Sequence, residues 1–157
     1  MTGTHLAQLN VGYARFPLDD PRIAPFMDNL DRINALAERS PGFVWRHQSA
    51  SGNATDIPVP GDETMISNLS VWEDVESLGH FVFNTVHARF YERRAAWFEA
   101  MDRPHVVMWP VPAGHRPDLH EAMDRLARLT RDGATPDAFG WDAVDASAWR
   151  RCAVEEA

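Results

Sequence analysis

Residues 68–98 read NLSVWEDVESLGHFVFNTVHARFYERRAAWF, and they predict a β-strand that runs directly into a long helix. The strand begins upstream, and side chains alternate in character along residues 65–72. One side of this strand is therefore mostly apolar, and the other carries Asn68, Ser70 and Trp72. The rest of the chain can be placed around this strand–helix unit.

The helical part of this stretch has two stripes at helical spacing. The apolar stripe, which predicts the side that faces the core, contains Phe83, Val86, Phe90, Trp97 and Met101. The second stripe, roughly a quarter turn away, contains His80, Asn84, His87 and Tyr91. A stripe in that position forms either a solvated edge or the wall of a pocket.

Three further strands are predicted from the alternation of apolar and polar residues, over residues 5–15, 43–50 and 105–112. Strict alternation in the second of these predicts one face with Phe43, Trp45 and His47. Residues 138–141 predict a short extra strand.

Two further helices are predicted from apolar periodicity. The first starts at Pro21, with an aspartate at the cap, and runs to about Arg39. The second opens at Pro117 and ends at Gly133. Within the long helix, Asn84-Thr85 predicts a bend because neither residue is a good helix former.

The resulting order, β-α-β-β-α-β followed by a C-terminal helical extension, predicts an α+β fold of the ferredoxin-like type. Such a sheet has its two helices on one face. We predict that Gln8, Asn10, Asn68 and Ser70 point to the other face. Purely structural burial would favour Val and Ile there, since a buried amide needs hydrogen-bond partners. The polar groups therefore predict a cavity, and the alternative is an ordinary wet dimer interface.

Composition limits the class of protein. The 157 residues predict one domain over 1–157, with a core of about 5–112 and a C-terminal helix and tail over 113–157. A net charge of −8 without a basic patch argues against nucleic acid and membrane partners. The first residues carry no secretory signal, and the single cysteine, Cys152, fits a reducing compartment. We therefore expect a cytoplasmic protein.

Five stretches carry a resemblance to a known group of proteins. They are LAQLN (residues 6–10), PGFVWR (41–46), NLSVWE (68–73), RAAWF (94–98) and VPAGH (111–115). In this order they resemble a bacterial family of uncharacterised stand-alone domains in the dimeric α/β-barrel superfamily. That superfamily includes the antibiotic-biosynthesis monooxygenases and the haem-degrading monooxygenases.

The resemblance implies a homodimer in which two ferredoxin-like sheets face each other to form a barrel, each with a pocket against its own helices. In the haem-degrading relatives, a histidine on the helix ligates iron and an asparagine of the first strand lies near the haem. His87 and Asn10 are similar in position to these two residues. The tryptophan within the helix of those enzymes corresponds here to Phe81, so we expect no cofactor, with haem as the alternative.

His87 is the main candidate for catalysis, because a histidine can accept and return a proton near neutral pH. Asn84 and Tyr91 share its helical stripe and could orient it or hold a substrate oxygen. The bland alternative is a surface or packing histidine. Asn10 and Asn68 are the other candidate catalytic residues, since their amides could hydrogen-bond a developing enolate or phenolate.

The remaining candidates are substrate-binding residues, each with a structural alternative. Arginines could bind a carboxylate, although they more often face solvent or pair with a local acid, and tryptophans more often belong to the core. The candidates are Ser70, Trp72, Trp45, Arg46, Phe83, Asn84, Tyr91, Arg94 and Trp109.

Other chemistries lack their usual sequence patterns. The sequence has no His-x-His, His-x-x-x-His or Glu-x-x-His pair that would predict a zinc or iron site. His115 and His120 have no standard metal spacing either. No Gly-rich phosphate loop predicts a nucleotide cofactor.

Two functions from different classes follow. The first is an enzyme, monooxygenase-like or isomerase/lyase-like, that acts on a small aromatic or polyketide-like substrate of secondary metabolism. It would use histidine-assisted proton transfer for cofactor-independent oxygenation, isomerisation, cyclisation or elimination. The second is a non-catalytic protein that binds haem or another hydrophobic metabolite.

Overall fold

The computed structural model describes residues 3–16, 20–47, 65–85, 93–99 and 104–144. The strands within these ranges are β1 (Thr4–Tyr13), β2 (Phe43–Arg46), β3 (Met65–Trp72) and β4 (Val106–Pro112). The α-helices are α1 (Ala24–Met27), α2 (Leu30–Arg39), α3 (Val75–Asn84), α4 (Arg94–Trp97) and α5 (Leu119–Asp132), with single 3₁₀ turns at Pro21–Ile23 and Trp141–Ala143.

The four strands form one antiparallel sheet in the order β2-β3-β1-β4. This is the ferredoxin-like order, so the predicted α+β fold is confirmed. β1 and β3 lie side by side at the centre, with Gln8 opposite Ser70 and Asn10 opposite Asn68. This register brings the polar side chains of the two central strands together.

Local sequence signals set the helix ends. Three aspartates accept a hydrogen bond from a backbone N–H of the following turn: Asp20, Asp74 and Asp118. α5 ends at Gly133, which has a φ of 77°. The predicted long helix is interrupted where the bend was predicted: α3 ends at Asn84, Thr85 is extended, and its hydroxyl donates to the carbonyl of Phe81.

The odd-numbered positions of β1, β3 and β4 form one face of the sheet, which we call the apolar face. It carries Ala7, Leu9, Val11, Leu69, Val71, Val107, Trp109 and Val111. The C-terminal helix α5 covers this face with Leu119, Ala122, Leu126 and Leu129. The result is a continuous apolar core between the sheet and the C-terminal extension.

The even-numbered positions form the opposite face, which we call the mixed face. It carries Leu6, Gln8, Asn10, Asn68, Ser70, Trp72 and Met108. Helices α2 and α3 pack against its apolar members with Ile33, Leu36, Ala37, Leu78, Phe81 and Val82. The prediction that the polar residues point away from these helices is therefore wrong. Leu6, Trp72 and Met108 give α2 and α3 an apolar contact on the same face that carries the amides.

The predicted alternation in β2 is also wrong, because a bulge shifts the register between Phe43 and Trp45. Phe43 lies opposite Trp72 on the mixed face, whereas Trp45 lies opposite Val71 on the apolar face. Trp45 packs against the apolar core there. Arg46 returns to the mixed face opposite Ser70.

The segment after α5 crosses the edge of the sheet. Phe139 makes two backbone hydrogen bonds with Met108, 2.7 and 2.9 Å long, and Ala138 pairs with Thr135, so the predicted extra strand is reduced to two isolated bridges. Trp141 then packs edge-on against Phe83, with ring centroids 4.9 Å apart. A barrel of two facing sheets would use the apolar face, which α5 already covers within one chain. The homodimer stays a prediction.

Candidate ligand-binding site

A run of hydrogen-bonded side chains crosses the mixed face at the centre of the sheet. We call it the polar file, and its members are Trp72, Ser70, Gln8, Asn68 and Asn10. At its inner end, the Ser70 hydroxyl oxygen accepts from the Trp72 indole Nε1 at 2.9 Å and from Gln8 Nε2 at 2.7 Å. These two donors occupy both lone pairs of the hydroxyl. Ser70 therefore anchors the file.

Gln8 connects the inner and outer ends of the file. Its Nε2 also donates to the side-chain oxygen of Asn68 at 3.0 Å and to the Asn68 backbone carbonyl at 3.3 Å. Its Oε1 accepts from Asn10 Nδ2 at 3.3 Å. A backbone carbonyl can only accept, so it fixes which end of the Gln8 amide points toward Asn68. Because Asn68 uses its side-chain oxygen here, its Nδ2 group is turned away from Gln8.

Exposure rises along the file. Gln8 and Ser70 are 4% and 5% exposed, Asn10 is half-buried and Asn68 is exposed. A strand centre normally favours β-branched apolar residues, and a buried amide or hydroxyl is costly unless it is hydrogen-bonded. The file satisfies these groups in the core and presents amides at its outer end, where a ligand could bind.

Aromatic residues surround the inner end and fill the space there. Trp72 is 1% exposed and stacks on Phe81, with ring centroids 5.3 Å apart. Phe43 meets the same indole edge-on at 5.4 Å. Trp72 thus belongs to the core and holds Ser70, whereas Asn10 is half-buried and Asn68 is exposed.

Arg46 is the charged residue of β2 on the mixed face. It lies directly opposite Ser70, and its side chain is 12% exposed. Its Nε donates to Glu38 Oε2 of α2 at 3.0 Å. The expected alternative, pairing with a local acid, is therefore present, and the acid is Glu38.

Two of the predicted substrate-binding residues lie on the wrong side of the sheet to share a pocket with Trp72. Trp45 packs in the apolar core. Trp109 is fully buried there, and its Nε1 donates to Glu121 Oε2 of α5 at 3.0 Å. Glu121 also pairs with His115 Nε2 at 2.8 Å. The two indoles therefore belong to the packing of the apolar face, where Trp109 holds α5 through Glu121.

The helical candidates are only partly described. His87 and Tyr91 lie outside the described residues, and Asn84 ends α3 without a described side chain. Arg94 begins α4 and is exposed. Burial lowers the pKa of His105, and the charge of Arg94 lowers this pKa further. The buried Nε2 of His105 has no hydrogen-bond partner among the described residues.

Gln8 is the residue that sequence reasoning left out of the site, although it makes more hydrogen bonds than any other member of the file. Its signal was present, because Gln8 and Asn10 alternate along β1 in register with Asn68 and Ser70. The alternation does not show that the Gln8 amide makes hydrogen bonds with each of the other three residues.

Two features are absent from the described ranges, a group of metal ligands and a helix that could span a membrane. No group of three or more His, Cys, Asp or Glu side chains there could hold a metal ion. No helix in those ranges combines the length and apolar character that crossing a bilayer requires. Cytoplasmic location stays a prediction.

Comparison with known proteins gives a family and a small set of similar structures. Residues 5–153 match a family described as "Domain of unknown function (DUF3291)". No curated protein matches the chain. A crystal structure of a Pseudomonas aeruginosa protein is 16% identical, with a TM-score of 0.46, over 75% of this chain and 99% of that one. A protein of unknown function from Nitrosomonas europaea is 13% identical, with a TM-score of 0.45, over 73% and 94%. A candidate antibiotic biosynthesis monooxygenase from Nitrosomonas europaea is 12% identical, with a TM-score of 0.41, over 73% and 92%.

Proposed function

Because this chain belongs to the family of domains of unknown function that residues 5–153 match, we propose its function from the site itself. It binds a small aromatic or polyketide-like molecule of secondary metabolism at the outer end of the polar file and acts on it by proton transfer. The observation that carries this proposal is the hydrogen-bonded file in the centre of the sheet. Positions where a sequence departs from the apolar rule for a strand centre are often functional.

The amides of Asn10 and Asn68 would hydrogen-bond the oxygen on which charge develops, as an enolate or phenolate. Donors that are fixed before the reaction stabilise such charge without reorganisation. Gln8 and Ser70 support this role by holding the amides through contacts of 2.7 to 3.3 Å. The reaction would be cofactor-independent oxygenation, isomerisation, cyclisation or elimination.

His87 would move the proton. None of the five file side chains titrates near neutral pH, so the acid–base group must come from elsewhere. His87, on the helical stripe that it shares with Asn84 and Tyr91, is the source that the sequence predicts. Asn10 and Asn68 would thus bind the substrate, and His87, which lies outside the described ranges, would transfer the proton.

The first experiment is native mass spectrometry with absorbance on protein purified from its own host. A bound organic molecule would supply the substrate for an assay. His87→Ala should then lower turnover at least ~100-fold, since general acid–base catalysis contributes about that much. His80→Ala is the matched control and should stay within a few-fold of the native protein, because His80 is exposed on α3. A His87→Ala variant that also stays within a few-fold would remove His87 from the mechanism.

A second function, non-catalytic binding of haem or another hydrophobic metabolite, is favoured by one observation. The described members of the file offer hydrogen-bonding amides but contain no group that transfers protons near neutral pH. For haem, Asn10 would lie beside the group and the iron ligand would have to come from His87. Adding haem and recording absorbance tests this function, since an iron–histidine band should appear and be lost in His87→Ala.

A further inference from the structure

Arg46 brings a positive charge to the polar file. Arg46, Ser70 and Gln8 lie in one row across β2, β3 and β1, because Arg46 is opposite Ser70 and Ser70 is opposite Gln8. Directly opposed residues of antiparallel strands point to the same side of the sheet. The guanidinium of Arg46 therefore starts on the face that carries the amides.

The ion pair with Glu38 leaves much of this guanidinium available. Only Nε contacts Glu38, at 3.0 Å, and the Glu38 side chain is 42% exposed. An exposed carboxylate is well solvated and forms a weak ion pair. No other residue in the described ranges makes a hydrogen bond with Arg46. Its two Nη groups, which form the fork that binds carboxylates, are thus not used by this pair.

Asn68 carries an amide donor on the same face of the sheet as the Arg46 guanidinium. Its side-chain oxygen is engaged by Gln8, so its Nδ2 group is the part left for a ligand. Asn68 lies two residues from Ser70 along β3 and is therefore a diagonal neighbour of Arg46. Diagonal Cβ atoms are about 7–8 Å apart, which a long side chain can span. The mixed face thus places a cation beside the inner end of the file, one diagonal step from the Asn68 amide at the outer end.

From this arrangement we infer that the ligand carries an anionic oxygen, a carboxylate or an ionised phenol or enol, held between Arg46 and Asn68. A neutral carbonyl would use the amide alone and would leave a largely buried cation without a counter-charge from the ligand. The inference rests on the proposed function, because it concerns the same site, and it adds the charge of the substrate. Glu38 holds the guanidinium through Nε and offsets part of its positive charge, so its carboxylate competes electrostatically with an anionic ligand without occupying the Nη groups.

The test compares two probes of nearly the same shape, 1-naphthoate and 1-naphthamide. Each is titrated into the full native chain at pH 7, and the side-chain amide signals of Asn68 and Asn10 are followed by NMR. We expect 1-naphthoate to bind about tenfold more tightly, as a charge-assisted hydrogen bond provides. Adding 4-nitrophenol below and above its ionisation then distinguishes a carboxylate site from a site for any anionic oxygen.

Two variants and one control assign the preference to Arg46. Arg46→Gln should reduce the carboxylate-to-carboxamide ratio to about one. Glu38→Gln should raise naphthoate affinity, because the competing carboxylate is removed while the guanidinium stays. Arg128→Gln is the matched control, since Arg128 forms a similar ion pair with Asp124, at 3.0 Å, on α5. It should leave the ratio unchanged.

The outcomes separate this inference from the proposed function. Equal binding of the two probes at Asn68, or a preference that survives in Arg46→Gln, would overturn the anion site and leave the binding site standing. No response of the Asn68 and Asn10 amides to either probe would overturn both. Weaker naphthoate binding in Glu38→Gln would show that Glu38 does not compete, which also contradicts the inferred geometry.

Discussion

The two faces of the central sheet are built from alternating residues of the same strands, yet they differ in almost every physical property. On the apolar face, the buried strand residues are hydrophobic except Ser67, and Ala7, Leu9, Val71, Val107 and Trp109 are fully buried. On the mixed face, the residues between them are an amide, a hydroxyl and an indole joined by hydrogen bonds. The apolar face therefore supplies most of the stability, and the mixed face carries the polar groups that we propose bind a ligand.

Energetics support this division. Burying one large apolar side chain stabilises a fold by about 1.5–3 kcal/mol, whereas a hydrogen bond contributes about 0.5–1.5 kcal/mol net. The polar file therefore adds little stability for the space it takes at the centre of the sheet. A chain selected for stability alone would repeat the apolar pattern on both faces, and this one does so only where α2 and α3 touch Leu6, Trp72 and Met108.

The largest expected effect lies on the apolar face. Leu9→Ala should lower the free energy of unfolding by about 2–5 kcal/mol, because Leu9 is fully buried between sheet and helix and its truncation leaves a cavity. Urea unfolding followed by tryptophan fluorescence measures the change. Val44→Ala is the control, since Val44 is 37% exposed on the edge strand and should change stability by less than about 0.5 kcal/mol. Equal losses in the two variants would mean that the apolar face is not the main source of stability.

A smaller effect is expected one residue away on the mixed face. Gln8→Leu should lower the free energy of unfolding by only about 1 kcal/mol, at the low end of the cost of an unpaired polar group. Leucine fills a similar volume, and the partners that lose a contact include Asn68, which water can reach. Ligand binding should be lost even though the fold stays intact.

A double-mutant cycle with Asn68→Ala tests whether the file acts as a unit. Residues in one hydrogen-bond network usually show coupling energies of about 0.5–3 kcal/mol. Additive losses for Gln8→Leu and Asn68→Ala would contradict the 3.0 Å contact between these amides as an energetic link. A loss in Gln8→Leu as large as that in Leu9→Ala would remove the contrast between the two faces.

Sequence reasoning predicted the elements of the fold well, because their signals are local. Alternation along residues 65–72 predicted β3 with the bounds found, Met65–Trp72. The aspartate cap before Pro21 and Gly133 likewise marked helix ends where the structure has them. The order of these elements then predicted the order of the strands in the sheet.

The assignment of faces could not be read from the sequence, because it depends on contacts between distant segments. Both α3 and α5 have an apolar side that would fit either face. The predicted separation of polar residues from helices failed since Leu6 and Trp72, on the same side as Gln8, give α2 and α3 their contact. The bulge between Phe43 and Trp45 has no sequence signal of its own, and it moved Trp45 to the other face.

Only part of the candidate site could be predicted from the sequence, because the rest also depends on contacts between distant segments. Asn10, Asn68, Ser70 and Trp72 were selected from the alternation; Gln8 makes hydrogen bonds with the first three, and Trp72 donates to Ser70. The direction in which an amide points follows from its partners, which one sequence does not give. The charge brought by Arg46 depended on the strand register in the same way.

The smallest expected effect concerns His105, which precedes β4 beside Val11 and Val107 of the apolar face. Burial lowers the pKa of its imidazole below the usual 6.5, and the Arg94 charge lowers it further. The unfolded chain therefore binds a proton at a higher pH than the folded chain does. Stability should be constant above the usual pKa, as far as this residue is concerned, and should fall as the pH drops below it.

Urea midpoints measured between about pH 8 and pH 5, a range that spans the ordinary histidine pKa, test this sign. His105→Phe keeps a ring of similar size and removes the buried Nε2 that has no partner, so its midpoint should decline less on acidification than that of the native chain. His120→Gln is the control, because His120 is exposed on α5 and should leave the decline unchanged. An unaltered decline in His105→Phe would assign the acid sensitivity to other groups. The stability that the apolar face provides would then not depend on the protonation of His105 at its edge.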